Sequence, residues 1–425
     1  MKLKRVKFLT LFLYLFSFVL SPFVRALTLH RARKGLEEKG RIKERYGAAS
    51  LPRPKGPLVW IHAASVGETV SLVPLIKSYK SHYPDHTVLL TTTTVTAAMI
   101  AKQRLLNFCI HQYAPFDVGP WVARFLKHWK PSLVIFVESE LWPGIVQQVH
   151  KKRIPLILLN GRLSDRSYHR WLRVRFLAKH VLSPFALCLA QSKDNADRFK
   201  RLGAPKVQVM ANLKFAATSL PLSTKTLEDL SALFGGRPLW VAASTHPGEE
   251  DIVINVHKAL QRKIPDLLTV LIPRHPGRAE KVAQLCEDQG LSVRRHSHSG
   301  TGRQSDFGVY LVDTIGELGV FFSLSSVVFV GGSFVPIGGH NPIEPSLFGC
   351  AVLWGPHMTN FRDVVSILKD ACCTLETPKD LEKTVRDLLA NPDKAKTLGM
   401  RALSIVKKQA EDIQTIVSTL RSFYE

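Results

Sequence analysis

From residue 57 onward, short apolar runs alternate with longer stretches in which apolar residues recur every three or four positions. The runs at 58–63, 87–92, 133–137, 155–159, 186–190 and 207–210 are too short for helices and almost wholly apolar, so they predict buried strands. Helical spacing fills the gaps, for example around 70–79 and 166–181. This βαβ rhythm predicts a doubly wound parallel sheet. It stops at a Ser/Thr/Pro segment, 216–224, that reads as a linker. It then restarts with strands at 239–243, 268–272, 309–312, 326–330 and 351–354, and residues 379–424 are helical in pattern. A chain of 425 residues exceeds one ordinary core. The expected architecture is α/β, with two Rossmann-like domains (48–215 and 227–425) facing each other across a cleft and joined by a linker at 216–226.

The polar motifs fall where such a fold binds ligands. The run at 326–330 is followed by Gly331-Gly332-Ser333-Phe334-Val335-Pro336-Ile337-Gly338-Gly339-His340-Asn341-Pro342-Ile343-Glu344-Pro345. Glycine pairs at a strand-to-helix turn let backbone approach a ligand closely. Asn341 and Glu344, three apart, share a face of the helix that follows, and an acidic side chain there suits a ribose hydroxyl pair. Ser244-Thr245-His246-Pro247-Gly248-Glu249-Glu250, Arg274-His275-Pro276 and Asp313-Thr314-Ile315-Gly316-Glu317-Leu318 follow the other strands of the same domain. All four lie at carboxyl ends of parallel strands, the ligand-binding edge of open α/β sheets. The first domain has its own set: His62-Ala63-Ala64-Ser65-Val66-Gly67-Glu68, Glu138-Ser139-Glu140-Leu141-Trp142-Pro143 and Asn160-Gly161-Arg162. Glu68 at a helix start suits a general base. It equally suits the acidic position of a helix capping box, and the residues alone leave both roles open.

Charge narrows the partner. The net charge is +24, with a net of +9 in residues 1–47 and +10 in residues 151–201, which implies an acidic partner. The stretch 8–24 is apolar apart from Thr10, Ser17 and Ser21 and is flanked by Lys2, Lys4, Arg5 and Lys7 before it and Arg31-Ala32-Arg33-Lys34 after it. Its 17 residues sit at the lower limit for a bilayer span. Arg25 makes Val24-Arg25-Ala26 a poor cleavage site. The expectation is an uncleaved anchor or an interfacial helix within residues 1–47, held at an anionic inner membrane with the rest of the chain on the cytoplasmic face. The six cysteines show no metal-ligand spacing and sit in apolar contexts such as Phe108-Cys109-Ile110, which reads as buried free thiols.

Taken together in order, HAASVGE (62–68), ESELWP (138–143), NGR (160–162), STHPGEE (244–250), RHP (274–276), DTIGEL (313–318) and GGHNPIE (338–344) resemble the transferases of 3-deoxy-D-manno-octulosonic acid (Kdo). The resemblance covers nearly the whole chain, and its strength lies in the ordered set. It implies a GT-B fold and an inverting, metal-independent transfer of Kdo from CMP-Kdo to a phosphorylated lipid A precursor (lipid IVA), with no cofactor. It puts the proton acceptor on Glu68. It puts CMP binding on Arg274 and His275, on Ile315, Gly316 and Glu317, and on Asn341, Pro342, Ile343 and Glu344. Arg162, Arg166, Lys193 and Lys214 become candidates for lipid phosphates, and Glu138 or Glu140 for positioning the acceptor. One departure stands out: a family Gly-Asn-Leu-Lys-Phe-Asp pattern reads Ala211-Asn212-Leu213-Lys214-Phe215-Ala216 here. The competing readings are another GT-B activity, such as a nucleotide-sugar 2-epimerase, and a membrane-tethered nucleic-acid-binding protein. The latter lacks the interleaved aromatic and basic residues that base stacking needs. Oligomeric state is not legible.

Overall fold

The computed structural model describes residues 18–19, 21–210, 212–216, 220–298 and 307–423. The chain divides into two compact units: residues 1–216 with 409–425, and residues 217–408. The C-terminal segment 409–425 thus packs with the first unit, not with the second as its position in the chain suggested. Ile416, Val417 and Leu420 join the first unit's core.

The first unit is a seven-stranded parallel sheet of β1 (Leu58–Ala63), β2 (Thr87–Thr92), β3 (Ile110–Tyr113), β4 (Leu133–Val137), β5 (Leu156–Gly161), β6 (Leu187–Ala190) and β7 (Val207–Val209). Their order across the sheet is β3-β2-β1-β4-β5-β6-β7. Every residue of β1, β4 and β5 is buried, which is why these strands read as mostly apolar runs, interrupted only by His62 and by Asn160 near their carboxyl ends. Successive residues serve opposite faces. Leu58 and Trp60 enter one core, while Val59, Ile61 and Ala63 enter the other.

The second unit repeats the plan with β8 (Leu239–Thr245), β9 (Leu268–Pro273), β10 (Val293–Arg295), β11 (Val309–Leu311), β12 (Val327–Val330), β13 (Ala351–Trp354) and β14 (Cys373–Thr374), ordered β10-β11-β9-β8-β12-β13-β14. In the first sheet the chain builds outward from β1, whereas in the second β11 inserts between β9 and the edge strand β10; in both the chain then crosses to the other side of the first strand. The reversal falls between β1 and β4, and between β8 and β12, and such switch points open a crevice at the carboxyl ends.

The sequence pattern missed β3, β10 and β14. β3 reads Ile-His-Gln-Tyr, and its polar residues, buried Gln112 and half-buried His111, have dedicated partners. Gln112 accepts from the Trp129 indole (2.9 Å) and donates to the Ala48 carbonyl (3.3 Å). His111 lies between Arg41 (3.1 Å) and the Thr92 hydroxyl (2.9 Å). Burial, with Arg41 and Arg45 nearby, pushes its imidazole down to about 3.

The N-terminal flank is folded more tightly than its composition predicted. Much of the apolar stretch 8–24 lies outside the described residues. Among the described residues no helix is long and apolar enough to cross a membrane. Helix Ser21–Arg33 is followed by a 3-10 helix, Lys39–Tyr46. Arg45 is 2% exposed and pairs with buried Glu37 at 2.8 Å, and Glu37 also takes Arg31 at 3.2 Å. Arg45 further donates to the carbonyls of Thr92 (3.4 Å) and Ala114 (3.3 Å). Part of the basic flank expected to meet lipid headgroups is therefore spent inside the fold, because Glu37 and Glu44 bring the opposite charge within reach.

Candidate functional site

At the first unit's switch point, β1 ends at Ala63 and helix Val66–His82 begins three residues later. Ser65 is its N-cap, and its Oγ accepts the Glu68 amide at 3.3 Å. In return the Ser65 hydroxyl donates to Glu68 Oε1 (2.8 Å), and the Ala64 amide donates to Oε2 (2.8 Å). The capping role is thus realised, but the carboxyl group is not an ordinary cap. Glu68 is 8% exposed. Burial first, then repulsion from Glu138 and Glu140, pushes its pKa up to about 7, against the lowering effect of its two donors. A carboxylate that titrates near neutrality is suited to proton transfer.

Around it lies a polar chain, buried at one end and half-buried at the other, that no single motif announced. The Trp60 indole donates to Thr91 Oγ1 (2.8 Å), which contacts His62 Nδ1 (2.9 Å). His62 Nε2 lies 3.6 Å from Glu140 Oε2, and the Trp142 indole donates to the same oxygen. Although burial opposes it, His62 and Trp142 hold the Glu140 carboxyl below its ordinary range. Two neighbouring carboxylates therefore differ, Glu140 held ionised and Glu68 poised near 7. Glu138 (φ 57°) and Asn160 (φ 54°), at the ends of β4 and β5, hold left-handed backbone, a conformation that surrounding structure must enforce. Asn160 Oδ1 accepts the Leu213 amide (3.2 Å), and Asn212 donates to Gln191 (2.8 Å). The surviving Asn-Leu-Lys-Phe core thus fastens Lys214 to this edge of the sheet. Ala211 lies outside the described residues.

In the second unit, a cavity of about 270 Å³ opens at the switch point, lined among others by Ser244, Arg274, Leu318, His340, Asn341 and Glu344. Three of the residues singled out from sequence, Arg274, Asn341 and Glu344, converge here. Among the described residues Arg274 makes no ion pair. Asn341 Oδ1 accepts the Ile343 amide (3.1 Å) and so shapes the start of the short helix Ile343–Leu347. Pro342 precedes that helix, and Ile343 is wholly buried beneath the cavity wall. His275 is not part of the lining; its ring meets that of His246 edge-on at 5.8 Å. In the adjoining loop, Ile315 is 85% exposed and Gly316 has φ 100°. Glu317 is engaged by the Thr314 hydroxyl and by His296 (3.1 Å). His296 is partly buried between Glu317 and the Tyr310 hydroxyl.

The Gly331 block behaves differently from the expectation. Three of its amides are turned into the protein and not toward a ligand. The fully buried Glu249 carboxylate accepts them: Gly332 (2.7 Å), Ser333 (3.0 Å) and Phe334 (2.9 Å), together with the His246 amide (3.0 Å). Gly331 is required by close approach of backbone to backbone, since a Cβ there would lie 2.5 Å from the Ser244 carbonyl oxygen. Gly339 (φ 76°) leaves no room for a Cβ beside Met358. Glu250 binds Arg278 (2.6 Å), tying the segment after β8 to the one after β9. Ser244 itself is left-handed (φ 59°), so the outliers again mark the switch point.

A family model described as 3-deoxy-D-manno-octulosonic-acid transferase (kdotransferase) matches residues 40–217. A probable mitochondrial 3-deoxy-D-manno-octulosonic acid transferase of Arabidopsis thaliana is 35% identical, over 89% of this chain and 87% of that protein. The 3-deoxy-D-manno-octulosonic acid transferase of Haemophilus influenzae is 34% identical, over 91% of this chain and 92% of its own length. Among solved structures, the UDP-GlcNAc 2-epimerase of Neisseria meningitidis bound to UDP-GlcNAc aligns with a TM-score of 0.59 at 15% identity, covering 86% of this chain and all of that one. At that identity the likeness concerns the fold alone: two parallel-sheet α/β domains of GT-B type.

Proposed function

The chain belongs to the Kdo transferase family, and we propose that it moves Kdo from CMP-Kdo onto a phosphorylated lipid A precursor, lipid IVA, and releases CMP. As a member it is a glycosyltransferase of lipopolysaccharide synthesis, whereas the epimerase reading shares only the fold. Donor, acceptor and residue roles belong to the proposal. The observation that carries it is the 270 Å³ cavity, where Arg274, Asn341 and Glu344 converge. Arg274 offers a cation to the CMP phosphate, and Glu344 offers an acceptor to the ribose hydroxyls. The amides that follow Ile315 remain candidates for base or phosphate, while those of 332–334 are already held by Glu249.

The reaction then runs as one displacement. Glu68 takes the proton of an acceptor hydroxyl, on glucosamine for a first transfer or on Kdo for a later one. The acceptor oxygen bonds to the anomeric carbon, and the bond from that carbon to the CMP phosphate breaks. Its electron pair leaves with CMP, and configuration inverts. Arg274 meets the charge that grows on the departing phosphate, in a pocket organised before the reaction begins. Arg162, Arg166, Lys193 and Lys214 supply cations for lipid phosphates. Phe23, Leu27 and Leu29, exposed on helix Ser21–Arg33, offer apolar contact to a bilayer at the cytoplasmic face of the inner membrane.

Purified protein given CMP-Kdo and tetra-acylated lipid A precursor is expected to yield a Kdo-bearing lipid and CMP, with the Kdo units counted by mass spectrometry. Glu68→Ala is expected to bind CMP as the wild type does and to form almost no product. Normal turnover by that variant would remove Glu68 from the mechanism.

A further inference from the structure

Beside the cavity, His246 Nε2 and His340 Nε2 lie 2.8 Å apart. The ring planes are within 3° of parallel and the centroids 5.0 Å apart. That nitrogen separation is close to the least that two imidazoles at such a centroid distance allow, so the rings meet edge to edge in one plane. This is an N–H···N bond, and it holds a single proton between the two nitrogens.

We propose that His340 is a further donor-contacting residue, a neutral imidazole whose Nδ1–H is held toward the phosphate of a bound cytidine monophosphate, with its tautomer fixed by His246. The proposal rests on the donor-site reading given above. His340 lines the cavity together with Arg274. Its Cδ2–Nε2 edge is turned to Gly332 and His246, which leaves the Cε1–Nδ1 edge for the cavity. Nδ1 has no hydrogen-bond partner among the described residues. If His246 donates through Nε2, His340 must carry its proton on Nδ1. In the opposite arrangement a bare lone pair would face the phosphate, so an anion selects the first tautomer.

Burial, helped by the surrounding cations, keeps the pair neutral. Burial, then His246, Arg274 and His275, push the His340 imidazole down to about 4. Burial also lowers His246, with His275 and Arg274 acting in the same direction and Glu249 and Glu250 pulling the other way. Glu344 shares the cavity wall. A neutral donor aimed at a phosphate stabilises growing charge without a proton having to be captured first.

The test is calorimetric titration of the full-length protein with CMP and with cytidine at pH 7.0–8.5, where a phosphate monoester, with a second pKa of about 6, is mostly dianionic. Wild-type CMP affinity is expected to vary less than about threefold across that range. His340→Ala should weaken CMP roughly ten- to hundredfold, the loss of one hydrogen bond to a charged group, while cytidine changes little. His340→Asn, whose amide nitrogen occupies the Nδ1 position, should recover most of the CMP affinity; His340→Gln, which places its amide nitrogen at Nε2, should not. His246→Ala, which frees the tautomer, should make CMP binding pH-dependent. The inference is overturned if His340→Asn is no better than His340→Ala, if cytidine binding falls equally, or if wild-type affinity drops about tenfold per pH unit, the mark of an imidazolium. CMP binding untouched by His340→Ala overturns this inference alone. No CMP binding by the wild type overturns the donor-site reading and this inference with it.

Discussion

Ser65 and Glu68 hold each other twice: the Ser65 hydroxyl donates to Glu68 Oε1 at 2.8 Å, and Ser65 Oγ accepts the Glu68 amide at 3.3 Å. A device that usually only starts a helix here also aims a buried carboxyl group. Capping explains its position, whereas burial beside Glu138 and Glu140 explains its basicity.

Replacing Glu68 by Gln should stabilise the protein at pH 8. The folded-state pKa is raised from 4.5 to about 7. Below the unfolded value both states hold the proton and no penalty exists. The penalty grows as pH rises and is complete above about 7, where it reaches roughly 3 kcal/mol. Thermal melts should therefore show a gain at pH 8 that fades toward pH 5, with transfer activity lost by about 10²-fold or more. A purely capping Glu would give the reverse, a loss of stability at pH 8.

The rate of Kdo transfer should have an acid limb with its midpoint near pH 7, because only ionised Glu68 accepts a proton. The Ser65 hydroxyl favours the ionised form. Ser65→Ala should move the limb to higher pH, leaving activity roughly several-fold lower at pH 7 and nearly restored at pH 9. A pH–rate profile with an unmoved limb would separate Ser65 from the base.

Glu249→Ala would strip the acceptor from four amides, those of His246, Gly332, Ser333 and Phe334. At about 1–3 kcal/mol for each buried donor left unpaired, the variant should lose at least about 4 kcal/mol in urea unfolding. CMP binding should fall with it. Glu249→Gln, which keeps one carbonyl oxygen, should lose less.

Arg45→Met should cost about 3–5 kcal/mol by leaving Glu37 buried without its main partner. Adding Glu37→Leu should recover much of that loss in equilibrium unfolding, since a well-packed apolar pair can replace a buried ion pair. Equal stability of Arg45→Met and wild type would mean that residues 37–45 are not built into the domain.

Much of the framework was legible because parallel strands buried on both faces must be apolar along their length. The βαβ rhythm then forces every motif that follows a strand onto one edge of its sheet. Arg274, Asn341 and Glu344 were found in this way, and they share one cavity. Strand β3 was not legible, since His111 and Gln112 are accommodated by Arg41, Thr92, Ala48 and Trp129 rather than by apolar surface. The left-handed backbone at Glu138 and Ser244 carries no signature in residue type, whereas Asn160 is of a type that adopts it readily.

The sequence by itself determined two parallel sheets, the edge at which each binds, and the family, because periodicity and motif order are properties of the chain. Tertiary structure alone decided what each motif does there. Glu249 finds the amides of the Gly331 block more than eighty residues away, and His246 finds His340 ninety-four residues away. Glu68 acquires its basicity from burial first and then from carboxylates on another loop. Hydrogen bonding and desolvation act through space, so the partner that turns a glycine-rich turn into scaffold, or a helix cap into a base, is set only when the sheets have folded.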